Sequence, residues 1–272
     1  ILTEVSVGAL FLAGVIPGLL LGLVFVIYCI VSAIRHPDRV PMAVEEEVPD
    51  SPGQRRSEKI SGTGIILLIF LVLGGIWAGV FTPTEAAGFG VAGSIVLGFA
   101  KGMGRKEFIE AILDAGRFTA PVMFLLIAGS MYAKLLAVSG SLDMIQMLLT
   151  DTGLGTLGLL AIMTVVWLLL GALIDSISDI LLTVPIFVPM AMAVGIDPVA
   201  FAIYGIIIIE AGLLTPPLGL LVFTVKSSVP DSSVTLSEIF IGAVPYWLLM
   251  LFVAVLVIVF PGLATWLPGL MF

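Results

Sequence analysis

Residues 206–224 read IIIIEAGLLTPPLGLLVFT, a segment that is long and apolar enough to cross a bilayer as a helix. Pro216 and Pro217 lack an amide hydrogen, so carbonyl groups one turn earlier lose their donors, and the helix is predicted to break near Thr215. Hydrocarbon supplies no water to those carbonyls, so such a break requires cover from protein or from a water-filled cavity. A broken helix that also carries Glu210 is typical of a solute pathway in a secondary transporter.

The composition excludes a water-soluble domain, because 60% of the 272 residues are hydrophobic and only 11% are charged. Eleven lysine and arginine residues are scattered over short loops, so no nucleic-acid surface is expected, and the net charge of −8 identifies no partner. The single cysteine, Cys29, lies in an apolar run, which argues against a disulfide framework or a metal cluster. The lone histidine, His36, is expected in an interfacial loop.

Other apolar runs predict an all-α polytopic membrane protein. The predicted spans are residues 7–34, 62–80, 86–100 and 239–260. The run 154–194 is too long for one straight crossing at ~1.5 Å per residue, so a broken or strongly tilted helix is expected, with its interruption at residues 175–179.

The segment from residue 101 to residue 149 is predicted to contain surface helices and a hairpin. Residues 101–117 place Phe108 and Ile112 on one helical face and Glu110 opposite, which indicates an amphipathic helix at the membrane surface. Residues 118–138 are expected to form a re-entrant hairpin with its turn at Gly129-Ser130. A short amphipathic piece is predicted at residues 141–149.

Basic residues are concentrated in two loops, which the positive-inside rule places in the cytoplasm. The first loop belongs to a polar, charged linker, residues 35–60, and the second carries Lys101, Arg105 and Lys106, at the start of the stretch predicted as the amphipathic helix. Residues 82–85 then lie near the outer face. The C-terminus lies outside if residues 118–138 form a hairpin, and inside if they cross fully.

Asp175 and Asp179 form the first candidate constellation, because their spacing would place both carboxylates on one face of a continuous helix. Two buried like charges repel, so a cation lies between them, one is protonated, or a helix break separates them. Alternatively, one aspartate is the N-cap of the following half-helix. Carboxylates at membrane depth are functional candidates because their burial is costly.

The second constellation is the stretch from Glu210 to Gly219. Unwound carbonyls near Gly212 and the Thr215 hydroxyl would form a cluster of oxygen ligands, which suits a small hard cation such as sodium. The alternative is a proline kink that a neighbouring helix stabilises. A third stretch, residues 81–85, is interpreted as a helix start with Thr84 as N-cap and Glu85 in the first turn.

The runs FTPTEAAG (81–88), GALIDSISDILLTVPIFVP (171–189), GIDP (195–198) and EAGLLTPPLG (210–219) resemble, in this order, the second half of the large membrane subunit of TRAP transporters, the tripartite ATP-independent periplasmic transporters. VSVGALFLAGVIPGLLLG (5–22) resembles the closing helix of that subunit's first half. The resemblance covers most of the chain.

The resemblance implies a non-enzymatic, sodium-coupled elevator transporter in the bacterial inner membrane. A periplasmic binding protein would deliver an organic acid, such as a C4-dicarboxylate or a sialic acid, to the large subunit and a small four-helix membrane subunit. Sodium would be the coupling ion, and no cofactor is expected. The fold would be one repeat of an inverted-repeat architecture, with a re-entrant hairpin and broken helices; the N-terminal half of the large subunit would supply the other repeat.

Carried over to this chain, the resemblance divides it into residues 1–34 (closing helix of a preceding repeat), 35–60 (cytoplasmic linker), 61–117 (scaffold and arm helices), 118–236 (transport domain) and 237–272 (C-terminal helix). The sodium candidates are Gly171, Asp175, Gly212 and Thr215. The wider set of sodium or substrate candidates adds Gly129, Ser130, Ser176, Ser178, Glu210, Pro216, Pro217 and Gly219.

The sequence begins at Ile1 without a methionine or a signal-peptide pattern, so it is expected to be part of a longer protein. Two other functions are considered. An intramembrane aspartyl protease would take its two carboxylates from separate helices, whereas Asp175 and Asp179 share one segment. A membrane assembly subunit without its own site would have little reason to interrupt helices at carboxylates.

Overall fold

The computed structural model describes residues 5–37, 52–140, 144, 147, 155–229 and 234–271, and the regular structure in these ranges is helical, without strands. The helices are α1 (Val7–Ala13), α2 (Val15–Arg35), α3 (Pro52–Trp77), α4 (Pro83–Ala100), α5 (Arg105–Ser139), α6 (Thr156–Gly171), α7 (Ser176–Ala193), α8 (Pro198–Gly212), α9 (Leu220–Ser228), α10 (Leu236–Val259) and α11 (Gly262–Thr265). The predicted all-α class is confirmed.

Among the described residues, four helical segments are long and apolar enough to cross a membrane. They are Val7–Arg35 (α1 and α2), α5, α7 and α10. The segments Gly62–Trp77, Thr156–Gly171 and Pro198–Gly212 are shorter but also apolar. The chain is therefore a multi-pass membrane protein, and the spans predicted at residues 7–34 and 239–260 are confirmed as helices.

The chain divides into two compact units, and the first consists mainly of Ile1–Ile27 and Pro121–Leu270. Helix α8 lies in its core and packs against α6, α7 and α10. Most of its side chains are buried. Because α8 is apolar around its whole circumference, burial by neighbouring helices stabilises it better than a one-sided contact would.

Trp167 connects three helices of this core. Its side chain, from α6, is 1% exposed, packs edge-on against Phe187 of α7 and contacts Phe201 of α8. Its indole Nε1 donates a hydrogen bond to the Thr183 hydroxyl at 2.8 Å, so the polar atom is satisfied. Gly205 leaves room for the ring, since a methyl group there would lie 2.9 Å from a ring carbon.

The second unit, mainly Tyr28–Ala120, contains the contact between α3 and α4. Glycines on each helix accept leucine side chains of the other. A methyl group at Gly64 would lie 2.7 Å from Leu97, and one at Gly93 would lie 2.4 Å from Leu68. Small residues allow close helix contact in membranes, where packing replaces the hydrophobic effect.

Helix α4 begins two residues earlier than it would with Thr84 as its N-cap, so that prediction is wrong. Thr82 is the N-cap: its hydroxyl accepts from the Glu85 amide, and the Glu85 carboxylate accepts from the Thr82 amide at 2.8 Å. Pro83 occupies the first helical position, where its fixed φ and missing amide are tolerated. The interpretation of this stretch as a structural helix start, with Glu85 in the first turn, is confirmed.

A single helix, α5, covers the region predicted as a surface helix followed by a hairpin. The predicted turn at Gly129-Ser130 is therefore wrong. Gly129 is buried and allows contact with α7, since a methyl group there would lie 2.8 Å from Leu181. The Ser130 hydroxyl donates to the Ile127 carbonyl of the same helix. The helix instead ends before Gly140, whose φ is +69°.

Two predictions concern residues that are only partly described. The linker predicted at residues 35–60 includes 38–51, which lie outside the described residues, while 52–60 form the beginning of α3. The amphipathic piece predicted at residues 141–149 also lies almost entirely outside them.

Candidate functional site

Two helix interruptions lie in the first unit. The break near Thr215 lies where the sequence predicts it, whereas the break in the run 154–194 lies at residues 172–175 and shares only Asp175 with the predicted interruption at residues 175–179. Helix α6 ends at Gly171 and α7 begins at Ser176, so the long run 154–194 is broken. Helix α8 ends at Gly212 and α9 begins at Leu220, on either side of Thr215. The Pro216-Pro217 peptide bond between α8 and α9 is cis.

The two interruptions meet through backbone contact between Gly171 and Gly212. A methyl group on Gly171 would lie 2.8 Å from the Ile209 carbonyl oxygen and 3.1 Å from the Gly212 Cα. A methyl group on Gly212 would lie 2.9 Å from the Gly171 Cα. Only glycine fits both positions, because the neighbouring atoms belong to the backbone.

A hydrogen bond also joins the two interruptions. The Gly219 amide donates to the Ala172 carbonyl at 3.2 Å, across the space between the α6–α7 and α8–α9 connections. Gly219 has φ +54°, a conformation that favours glycine over other residues. The freed carbonyl of the first break is thereby satisfied by the second, as irregular backbone at membrane depth requires.

Asp175 is the N-cap of α7, which confirms one of the roles that the sequence left open. Its carboxylate accepts hydrogen bonds from the Ile177 and Ser178 amides at 3.0 and 3.1 Å, and from the Ser178 hydroxyl at 2.6 Å. These bonds satisfy free donors at the helix start. Asp175 therefore stabilises the amino end of α7.

Asp179, one turn into α7, has a different environment. Its side chain is 0% exposed, and neither carboxylate oxygen has a hydrogen-bond partner among the described residues. The helix break thus gives the two aspartates separate roles, since Asp175 is exposed and fully engaged. A buried carboxylate without a partner is costly, so Asp179 belongs among the functional candidates.

Thr215 folds back onto the end of α8. Its amide and its hydroxyl both donate to the Gly212 carbonyl, at 2.9 and 2.8 Å. The hydroxyl oxygen keeps its lone pairs for another partner. The carboxyl ends of α6 and α8 meet here, and each carries the partial negative charge of a helix terminus, so their junction favours a cation.

Glu210 and Ser176 connect the beginning of α7 to α8. The Ser176 hydroxyl donates to Glu210 Oε1 at 2.8 Å, and both side chains are half-buried. The sequence predicts each residue as a site candidate but does not indicate that they contact each other.

The structure brings ten of the predicted candidates into this junction and leaves two outside it. The ten are Gly171, Asp175, Ser176, Ser178, Glu210, Gly212, Thr215, Pro216, Pro217 and Gly219. Gly129 and Ser130 lie within α5 instead. No group of three or more histidine, cysteine, aspartate or glutamate side chains suited to a metal occurs among the described residues.

Sequence reasoning missed Ala172, whose carbonyl accepts from Gly219. A backbone contact of this kind leaves no side-chain signal in the sequence. The sequence names Asp179 with Asp175 in the first candidate constellation, but the sodium and substrate candidates carried over from the resemblance leave Asp179 out.

Comparison with known proteins identifies one family. Residues 1–263 match the model described as "Tripartite ATP-independent periplasmic transporter, DctM component". The chain is 33% identical to the C4-dicarboxylate TRAP transporter large permease protein of Pseudomonas aeruginosa, over 98% of the chain and 61% of the relative. It is 32% identical to the sialic acid large permease protein of Vibrio cholerae, over 99% of the chain and 62% of the relative.

An ectoine TRAP transporter large permease protein of Halomonas elongata is 28% identical over 100% of the chain and 62% of its own length. The chain thus spans about three fifths of the length of these curated relatives.

Proposed function

This chain belongs to the DctM-component family of tripartite ATP-independent periplasmic transporters, and we propose that it forms part of a sodium-coupled permease that imports an organic acid. A periplasmic binding protein delivers the acid, and a small membrane subunit completes the permease, in the bacterial inner membrane. The family consists of transporters and not of enzymes. The N-terminal half of the large subunit supplies the second repeat of the inverted-repeat fold.

One observation carries the proposal: the two helix breaks form a single junction through Gly171, Gly212 and the bond from Gly219 to Ala172. A protein that needed only a packed bundle would have no reason to interrupt two buried helices at the same place. Broken helices at membrane depth supply the backbone carbonyls that coordinate coupling ions in secondary transporters.

We assign sodium to the Gly171 carbonyl at the end of α6 and to the Thr215 hydroxyl after α8. The Gly212 carbonyl accepts from the Thr215 amide and hydroxyl, and so holds that hydroxyl in position. Oxygen ligands suit a small hard cation. The Asp175 carboxylate holds the start of α7 and adds negative charge near the ion. Movement of the broken-helix region against the scaffold then couples ion release to substrate release.

The organic acid meets the same region. The relatives carry C4-dicarboxylate, sialic acid and ectoine in their names, so family membership leaves the substrate open.

Thr215→Ala tests the ion site in the full-length permease, reconstituted with its small subunit and binding protein. We expect sodium-driven uptake to be abolished while expression and membrane insertion stay normal. The control is Thr224→Ala, which removes a hydroxyl that donates to the Leu220 carbonyl within α9. Wild-type sodium dependence in Thr215→Ala would refute the assignment.

Asp175→Asn separates the charge from the cap, because asparagine caps helices about as well as aspartate. We expect sodium-driven uptake to be lost with α7 intact. Normal uptake in this variant would restrict Asp175 to its structural role.

A further inference from the structure

We propose that Ser176 and Glu210 position the two helix breaks for cation binding and are not themselves ligands of the ion. The inference rests on the proposed function and assigns these two candidates a different role from the proposed ligands at Gly171 and Thr215. Its basis is the hydrogen bond from the Ser176 hydroxyl to Glu210 Oε1.

The location of this bond is its main argument. Ser176 is the first residue of α7, directly after the first break. Glu210 lies in the last turn of α8, two residues before Gly212, where the second break begins. The bond therefore links the helix that follows the first break to the helix that precedes the second break. With the glycine contact and the Gly219–Ala172 bond, it fixes the geometry of the junction at three points.

The chemistry of the two side chains supports positioning. The single hydroxyl hydrogen of Ser176 is directed to Glu210, and a hydroxyl–carboxylate bond is stronger than one between neutral groups. The carboxylate also lies at the amino end of α7, where the helix dipole favours negative charge. Asp175 already caps the amides of Ile177 and Ser178, so Glu210 is not needed as a cap.

Loss of the bond should weaken ion binding more than it slows transport. Without it, the start of α7 can move away from α8, and the oxygens at the two breaks must be ordered again for each ion. We expect the sodium concentration for half-maximal uptake to rise about tenfold, with the maximal rate within about twofold of wild type.

Four variants distinguish a positioning role of Ser176 and Glu210 from direct binding of the ion: Ser176→Ala, Glu210→Ala, the double variant, and Glu210→Gln. Glutamine keeps an acceptor oxygen in the position of Oε1 and removes only the charge, so it should retain near-wild-type sodium dependence. The double variant should be no worse than the more severe single variant, because both remove the same bond.

Matched controls come from two side chains whose contacts among the described residues stay within their own helix. Ser227→Ala removes a hydroxyl that donates to the Thr224 carbonyl within α9, and Glu110→Ala removes an exposed carboxylate on α5. Both should leave sodium dependence unchanged.

Two measurements on the reconstituted full-length permease decide the question: thermal unfolding in the absence of sodium, and sodium-dependent uptake. Additive unfolding effects of Ser176→Ala and Glu210→Ala would show that the bond does not couple the helices and would overturn the proposal. Equal loss of sodium affinity in Glu210→Gln and Glu210→Ala would make Glu210 a charged ligand, which also overturns it.

If wild-type uptake proves independent of sodium, the proposed function fails and so does the positioning role. The unfolding data still show whether the bond exists, so the two failures are distinguishable.

Discussion

Glycines allow close helix contact in both units of the molecule, but the atoms that they approach differ. In the first unit, Gly171 and Gly212 approach each other's backbone. In the second unit, Gly64 and Gly93 approach the ends of leucine side chains. A side chain can change its rotamer, whereas a helix backbone moves only as a whole. Glycine therefore fixes the junction of two helix breaks in the first unit and allows ordinary side-chain packing in the second.

Gly212→Ala should have the largest effect of any substitution discussed. The added methyl group would lie 2.9 Å from the Gly171 Cα and 3.2 Å from the Leu168 carbonyl oxygen, so α6 and α8 must separate. We expect the free energy of unfolding to fall by about 3 kcal/mol, at the upper end for overpacking, and uptake to be abolished. Thermal unfolding and proteoliposome uptake measure the two effects.

A second substitution should not rescue Gly212→Ala, because the obstructing atoms are backbone atoms. Wild-type stability of Gly212→Ala would show that a glycine facing backbone atoms is no harder to replace than one facing a side chain.

Gly219→Ala should have an intermediate effect, because both kinds of contact occur there. Its φ of +54° costs a residue with a side chain about 1–2 kcal/mol, and the methyl group would lie 2.7 Å from the Phe240 ring and 3.1 Å from the Thr215 carbonyl oxygen. We expect Phe240→Ala to relieve only the ring contact. Thermal unfolding of both single variants and the double variant separates the two causes; complete rescue would contradict the backbone contribution.

The sequence was sufficient to predict the helix breaks, because their causes are local. Pro216, Pro217 and the carboxylate of Asp175 act on backbone groups within one turn of themselves. The contacts that join the breaks could not be predicted from the same residues. They depend on backbone atoms of Gly171, Ala172 and Gly212 that meet only after α6 and α8 have packed.

The wrong hairpin at Gly129-Ser130 has a related cause. Glycine and serine are common in turns, but the same two residues also suit a tight helix contact in a membrane. Only the position of Leu181, which is distant in sequence, distinguishes the two outcomes.

Gly93→Ala should destabilise the second unit by about 1 kcal/mol, the lower end for overpacking, although its methyl group would lie only 2.4 Å from Leu68. The obstructing atom is the Cδ1 end of a flexible side chain, and Leu68→Ala in addition should remove the clash. Thermal unfolding should therefore show a double variant less destabilised than the sum of the two single variants. Strictly additive effects would mean that the leucine does not enter the space beside Gly93.

Gly74→Ala should have the smallest effect on stability. It tests whether the cost of replacing a glycine of α3 depends on the atoms around that glycine. A methyl group on Gly74 meets nothing within 4 Å, whereas one on the adjacent Gly75 would lie 2.2 Å from the Phe81 ring. Alanine is the better helix former, so the free energy of unfolding of Gly74→Ala should stay within about 1 kcal/mol of wild type, on the stabilising side. Gly75→Ala is the matched comparison and should be destabilised. If Gly74→Ala instead lowers stability as much as Gly75→Ala, then another part of the assembled permease packs on this face of α3. Comparing the two variants with and without the small subunit would identify that partner.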